Sequence, residues 1–218
     1  MLPGLSLEGT AYFYQNPLQS DGAHRRASWF DCACCPPNVA RVLASLPGYL
    51  YSVSDDTVWV HTYTANEAHI ALPDGREVGL IQRTLYPWDG NITIDVLSEG
   101  LFNLKVRVPG WCEDGEAVVL VNAEPFIPRA RPGYVNVRRN WQVGDTICLR
   151  LSMPARRVQA HPYVLENAGR GALMRGPLLY CLEAADNTFG DLRDVVLPLA
   201  SALTEEFQSD VLGGVVLL

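Results

Sequence analysis

The feature that most limits what this chain can fold into is a series of short alternating segments that begins at Tyr49. Leu50–Val53, Thr57–Thr64, His69–Leu72, Arg76–Tyr86, Asn91–Leu97 and Leu101–Val108 each read as a strand. Turn signals separate them: Asp55-Asp56, Pro73-Asp74-Gly75, Asp89-Gly90, Glu99-Gly100 and Pro109-Gly110. Ile92, Ile94 and Val96 alternate with Thr93 and Asp95, and Leu104, Val106 and Val108 alternate with Lys105 and Arg107. That period of two buries one face and wets the other. Ala117–Val121, Tyr134–Arg138 and Thr146–Leu151 continue the series, so residues 49–155 are expected to form an antiparallel β-sandwich. Arg156–His161 and the run Gly171–Glu183, folded about Gly176-Pro177, predict part of a second sandwich over 156–218. The last residues, from Gly213 to Leu218, end on an unprotected apolar run, which suggests a chain cut short.

Residues 1–48 are written differently. Ala11–Tyr14 is a short aromatic strand-like run ended by Asn16-Pro17, and Asp21-Gly22 marks a turn. His24-Arg25-Arg26 reads either as a solvated loop or as a set of pocket contacts. Pro36-Pro37 can occupy the first positions of a helix, where a missing N–H costs least. Val39, Leu43, Leu46 and Leu50 then form one apolar stripe, and Pro47-Gly48 stops the helix.

With 48% hydrophobic residues the chain can bury a core, and it does not read as disordered. Its net charge of −7 with scattered Lys and Arg argues against a nucleic-acid surface. No apolar run is long enough to span a membrane, and no signal peptide is visible at the start. Six cysteines, three bunched and three far apart, suit a reducing, cytoplasmic setting and metal or catalytic use better than a disulfide framework.

The chemically unusual stretch is Trp29-Phe30-Asp31-Cys32-Ala33-Cys34-Cys35-Pro36-Pro37-Asn38. Two prolines stiffen the chain just after the thiols, which suits a metal site or a nucleophile. Thiolates bind zinc well, and zinc keeps a coordinated thiol ionised at neutral pH. Adjacent cysteines cannot place all their sulfurs around one tetrahedron, so at least one further ligand is expected from elsewhere. Cys112, Cys148 and Cys181 stand alone in strand-like runs and read as small buried hydrophobes. His61, His69 and His161 fall in strand-like runs and read as structural.

The same stretch carries a family resemblance. Asn16-Pro17-Leu18, the Trp29–Asn38 segment, Ala40-Arg41, Leu46 and Tyr51-Ser52 resemble the end of the catalytic domain of β-L-arabinofuranosidases of glycoside hydrolase family 127. Val108-Pro109-Gly110-Trp111 and Arg175–Glu183 fit as well. The resemblance implies an (α/α)₆ barrel that carries the active site, followed by β-sandwich domains. It implies zinc held by a glutamate and three cysteines, one of them the nucleophile, with a separate glutamate as acid/base. Residue by residue, Cys34 looks like the nucleophile and a zinc ligand, and Cys35 like a second ligand. Cys32 takes a supporting role. Tyr12, Tyr14 and Asn16 either line the sugar pocket or pack the remnant.

The resemblance leaves residues 1–48 as only the last piece of the barrel. The acid/base glutamate, the glutamate ligand and one cysteine ligand lie upstream in the family, and Glu8 sits in no matching motif. The expected function is a retaining glycosidase acting on L-arabinofuranosides, in a chain inactive by itself. Two rivals remain: a β-sandwich carbohydrate-binding or interaction module, and a subunit that completes a site with a separate barrel chain. Self-association through an exposed barrel remnant is a further expectation.

Overall fold

The computed structural model describes residues 4–6, 8–15, 17, 19–32, 34–113, 115–127, 133–184, 190–208 and 214–217. The chain divides into two units, Met1–Tyr49 and Leu50–Leu218. Among the described residues, no helix is long and apolar enough to cross a membrane.

The second unit is built on two sheets. One has the order β1 (Tyr51–Ser54), β2 (Thr57–Val60), β6 (Gly100–Arg107), β9 (Tyr134–Trp141). The other has the order β3 (Asn66–Ala71), β4 (Glu77–Thr84), β5 (Asn91–Val96), β10 (Thr146–Leu151), β7 (Ala117–Val121), β8 (Glu124–Phe126). The predicted alternation is realised strand by strand. In β5 Ile92, Ile94 and Val96 are buried, and in β6 Phe102, Leu104 and Val106 are buried while Arg107 is exposed. The inward rows of both sheets share one core: Val58, Val60, Phe102, Leu104, Val106, Val137 and Trp141 from the first, and Leu80, Ile92, Ile94, Ile147 and Leu149 from the second. The pairings are antiparallel except β2 with β6, which run parallel with Val58 opposite Leu104. Two parallel neighbours cannot be joined by a hairpin, and here β3, β4 and β5 of the opposite sheet intervene in the chain. Turn spacing alone therefore misread one pairing of an otherwise antiparallel sandwich.

Two details hold the sandwich closed. Gly90, before β5, packs so closely that an added Cβ would lie 2.0 Å from the Leu151 carbonyl oxygen. Asp145 anchors the turn between β9 and β10, where Gly144 has φ of 92°. Its carboxylate accepts from the Asn122 amide at 2.7 Å and the Gln142 backbone N–H at 3.0 Å. The Arg139 guanidinium lies 3.5 Å away.

A smaller sheet, β11 (Ala155–Val158), β12 (Ala172–Arg175) and β13 (Leu178–Tyr180), follows, then the hairpin β14 (Glu205–Gln208) with β15 (Gly214–Leu217). The turn at Gly176-Pro177 joins β12 to β13 as the sequence suggested. Polar contacts tie this region to the sandwich: Arg156 pairs with Glu116 at 2.6 Å, and Arg175 donates to the Trp88 carbonyl at 2.8 Å, while the Arg175–Glu205 pair at 2.6 Å joins β12 to β14.

In the first unit, α1 spans Cys35–Ser45 with Pro36 and Pro37 in its first turn. A 3-10 turn, Leu46–Tyr49, continues through Pro47-Gly48 before the chain leaves helix. The expected apolar stripe is uncovered: Val39, Leu43 and Leu46 are 37%, 55% and 42% exposed, and the neighbouring Val42, not part of the expected stripe, is 49% exposed. Leu50, its last expected member, is buried in the second unit instead. Ala11–Tyr14 forms no regular strand, only isolated bridges from Tyr12 to Leu5 and to Ala27.

Burial by itself would raise the Asp145 pKa. The hydrogen bonds from Asn122 and Gln142 and the Arg139 charge outweigh it and hold the carboxyl below its ordinary range. A folded-state pKa below the unfolded one contributes stability above the ordinary carboxylate range, and that stability is lost as pH falls through the folded value. Asp145→Ala is therefore expected to lower the urea midpoint near neutral pH, by about 1–3 kcal/mol of stability. The difference from the parent chain should shrink in acid. An unchanged midpoint at neutral pH would show that the turn does not depend on this carboxylate.

Candidate active site

The first unit brings the clustered thiols together at the start of α1. Cys34 occupies the N-cap, with φ −70° and ψ −37°, and Cys35 is the first helical residue. Asn38 donates its side-chain amide to the Cys34 carbonyl at 2.7 Å, and Arg41 donates to Asn38 at 2.9 Å. This chain of contacts and the two prolines fix the backbone that presents the sulfurs. The N-terminus of a helix is its positive end, a common setting for nucleophilic thiols.

The sulfurs are close. Cys32 Sγ lies 3.3 Å from Cys34 Sγ, which lies 3.6 Å from Cys35 Sγ. All three are free and exposed. The Tyr14 phenol reaches into the same group, donating to Cys32 Sγ at 3.2 Å and lying 2.8 Å from Cys34 Sγ. Hydrogen bonds to Cys32, then to Cys34 and Cys35, push the Tyr14 pKa far above the ordinary phenol range. Tyr14 therefore keeps its proton and serves as a donor toward sulfur. Phe30 sets its ring, lying 5.5 Å from Tyr14 and 5.1 Å from Tyr12 by centroid.

The structure thus gathers Tyr14, Cys32, Cys34 and Cys35, while Asn16 lies outside the described residues. Sequence spacing could not place Tyr14 here, because the contact spans 20 positions through irregular chain. The neighbouring basic residues make local contacts: His24 stacks on Phe13 at 4.7 Å, and Arg26 lies 4.3 Å from the Phe13 ring centre.

Two thiols held by one tetrahedral zinc sit about 3.8 Å apart, given the usual Zn–S length. The Cys34–Cys35 separation of 3.6 Å is close to that, and the donors are of the right chemistry. Yet among the described residues no group of three His, Cys, Asp or Glu side chains is arranged to hold a metal ion. Cys34 and Cys35 fit such an ion as a partial set.

The remaining cysteines and histidines behave unevenly. Cys112 is buried as expected, but in a turn, while Cys148 on β10 is half-buried and Cys181, just after β13, is exposed. His69 lies on β3 between Glu77 and Glu67, which raise its pKa, with the hydrogen bond to Glu77 the larger cause. His161 lies in a loop, not a strand. His61 follows β2, with Nε2 2.7 Å from Ser52 Oγ and Nδ1 2.6 Å from the Tyr134 hydroxyl.

Three family models match in succession. Residues 1–48 match the β-L-arabinofuranosidase GH127 catalytic domain, 57–153 its middle domain, and 155–211 the glycoside hydrolase family 127 C-terminal domain. The chain belongs to glycoside hydrolase family 127. Among curated family members, it is 37% identical to the non-reducing end β-L-arabinofuranosidase of Bifidobacterium longum subsp. longum, over 98% of this chain and 35% of that protein. It is also similar to the solved GH127 β-L-arabinofuranosidase from Geobacillus stearothermophilus T6, with 40% identity and a TM-score of 0.87, over 99% of this chain and 36% of that one. A second solved GH127 β-arabinofuranosidase matches with 33% identity and a TM-score of 0.89, over 99% of this chain and 39% of that one. This family 127 chain therefore spans about a third of the length of the relatives it matches.

The Tyr14 contact makes a direct prediction. A hydrogen bond to a charged group is worth about 1.5–3 kcal/mol, and 1.4 kcal/mol is a factor of ten. In reduced, metal-free protein, Tyr14→Phe should slow iodoacetamide alkylation of Cys34 by roughly tenfold. Peptide mass mapping reads the site. An unchanged rate would mean that the phenol does not act on this sulfur.

Proposed function

We propose that this chain carries the nucleophile of a retaining glycosidase site that acts on β-L-arabinofuranosides. The observation that supports it most is the convergence of Cys34, Cys35, Cys32 and Tyr14 at the start of α1, inside the stretch that matches the family's catalytic domain. Family membership supports a glycosidase, and the relatives' names supply the sugar.

In this reading Cys34 Sγ attacks the anomeric carbon. The glycosidic C–O bond breaks as an acid protonates the leaving oxygen. The sugar is then held through a thioglycosyl bond to Cys34. The same acid, now a base, takes a proton from water, which displaces the sulfur. Two inversions give net retention, with a thiolate in place of the usual carboxylate nucleophile. Tyr14 orients Cys34 and keeps a proton directed at it. Zinc, the metal the resemblance implies, would be held by Cys34 and Cys35 and would keep both sulfurs ionised.

The acid/base and the remaining ligands come from outside these 218 residues. Two features support this part of the reading: the chain covers 35% of its curated relative, and the α1 stripe is exposed although it has the pattern of a buried helix face. The site is thus completed by the rest of a catalytic domain, in the same polypeptide or in a separate one.

The test is reconstitution. The 218-residue chain and its fusion to the upstream portion of the Bifidobacterium relative would be assayed on p-nitrophenyl β-L-arabinofuranoside. The chain alone should show no turnover, and the fusion should turn over and carry about one zinc by elemental mass spectrometry. Cys34→Ser in the fusion should abolish turnover. A Cys34→Ser fusion as active as its parent would remove Cys34 from the reaction.

A further inference from the structure

A cavity of about 240 Å³ opens at one end of the sandwich, in the second unit and apart from the thiols. Its lining includes His61, Tyr63, Tyr86, Arg107, Trp111 and Pro177. At roughly 30 Å³ per water, that is room for about eight waters, the scale of one sugar ring.

The walls are aromatic and set. The Tyr86 and Trp111 rings are nearly parallel, with centroids 6.5 Å apart and 17° between their planes. Tyr63 stands edge-on to Tyr86 at 6.0 Å and 80°. Tyr63 is buried, and its hydroxyl donates to the Arg107 carbonyl oxygen, which locks the ring. Tyr86 and Trp111 are half-buried, so each leaves part of its surface to the cavity.

Arg107 supplies the charge. Several other arginines of this unit are matched to acids: Arg76 with Asp74, Arg83 with Asp95, Arg138 with Asp56, Arg139 with Asp145, Arg156 with Glu116. Among the described residues, no carboxylate lies within ion-pair distance of Arg107, whose guanidinium makes only a long 3.4 Å bond to the His61 carbonyl. Lys105, two positions earlier on β6, likewise makes no ion pair among the described residues and lies 3.7 Å from the centre of the Trp59 ring. In a chain with a net charge of −7, this is a local excess of positive charge beside an aromatic pocket. His61 adds neutral polarity at the rim: its burial, then the Arg107 charge, hold its pKa below the ordinary value.

We infer that this cavity binds a carboxylated sugar, a uronic acid unit of a glycan. The aromatic walls take the C–H face of the ring, the Arg107 fork takes the carboxylate in paired hydrogen bonds, and the Tyr86 hydroxyl meets a ring hydroxyl. A sugar is favoured over other small acids because the chain belongs to a family of glycoside hydrolases and the pocket combines ring-sized aromatic walls with several polar groups. The inference stands apart from the thiol chemistry and survives if that reading fails.

Saturation-transfer NMR on the whole 218-residue chain tests it, with D-galacturonate, its neutral counterpart D-galactose, and benzoate as a non-sugar acid. Galacturonate C–H protons should receive saturation, and its dissociation constant should be at least tenfold lower than those of galactose and benzoate. Arg107→Gln should weaken galacturonate tenfold or more, and Arg107→Lys, which keeps charge but not the fork, should fall between. Trp111→Ala should reduce saturation of the ring protons. The Arg107 side chain is exposed, so both Arg107 variants should keep the parent circular dichroism. No galacturonate signal, equal binding of galactose or benzoate, or an unchanged affinity in folded Arg107→Gln would each overturn the inference.

Discussion

The second unit depends on one interaction, the burial of the inward rows of two sheets against each other. Phe102 and Trp141 lie with ring centroids 5.8 Å apart, and the Trp141 indole N–H donates to the Phe102 carbonyl at 3.1 Å. Around them the side chains of Leu80, Ile92, Ile94, Leu104, Ile147 and Leu149 have essentially no contact with water. Interiors of this kind are close-packed, and removing one large ring typically costs about 3–5 kcal/mol. The turn at Asp145, the close approach at Gly90 and the aromatic cavity all take their positions from that core.

The first unit is the opposite case. Among its described residues no apolar side chain is buried in a core, and α1 leaves its stripe exposed. Its order is local: two prolines, the Asn38 bond to the Cys34 carbonyl, and the contacts of Phe30 with Tyr12 and Tyr14. Local contacts suffice to point three sulfurs and a phenol at one another, but they supply neither a wall nor an acid. This division accounts for a fully formed sandwich and an open, exposed thiol cluster in the same 218 residues.

Much of the fold was legible because a strand's period is two and each sandwich strand has one wet face. Ile92, Ile94 and Val96 declared their inward face without reference to any partner. The pairing of β2 with β6 was not legible, since parallel neighbours meet across an intervening excursion and leave no hairpin signal between them. The short β8 was missed for a related reason: Glu124-Pro125-Phe126 has three residues and too little alternation to read. Of the thiol cluster, the closeness of Cys34 and Cys35 at the start of a helix was legible from their adjacency and the prolines that follow. The closeness of Tyr14 to their sulfurs was not, because irregular chain carries no periodicity to fold in the mind.

The sequence by itself determined which residues face the sandwich core, where α1 begins, and that three thiols lie within four positions. These are properties of neighbours along the chain, governed by strand and helix periods and by the missing N–H of proline. Only the tertiary structure decided that Tyr14 donates to the thiol group, that Arg107 has no acid within ion-pair distance among the described residues, and that Tyr86, Trp111 and Pro177 share one cavity. Those depend on side chains far apart in sequence, brought together when apolar faces leave water, and no local rule fixes where such faces meet.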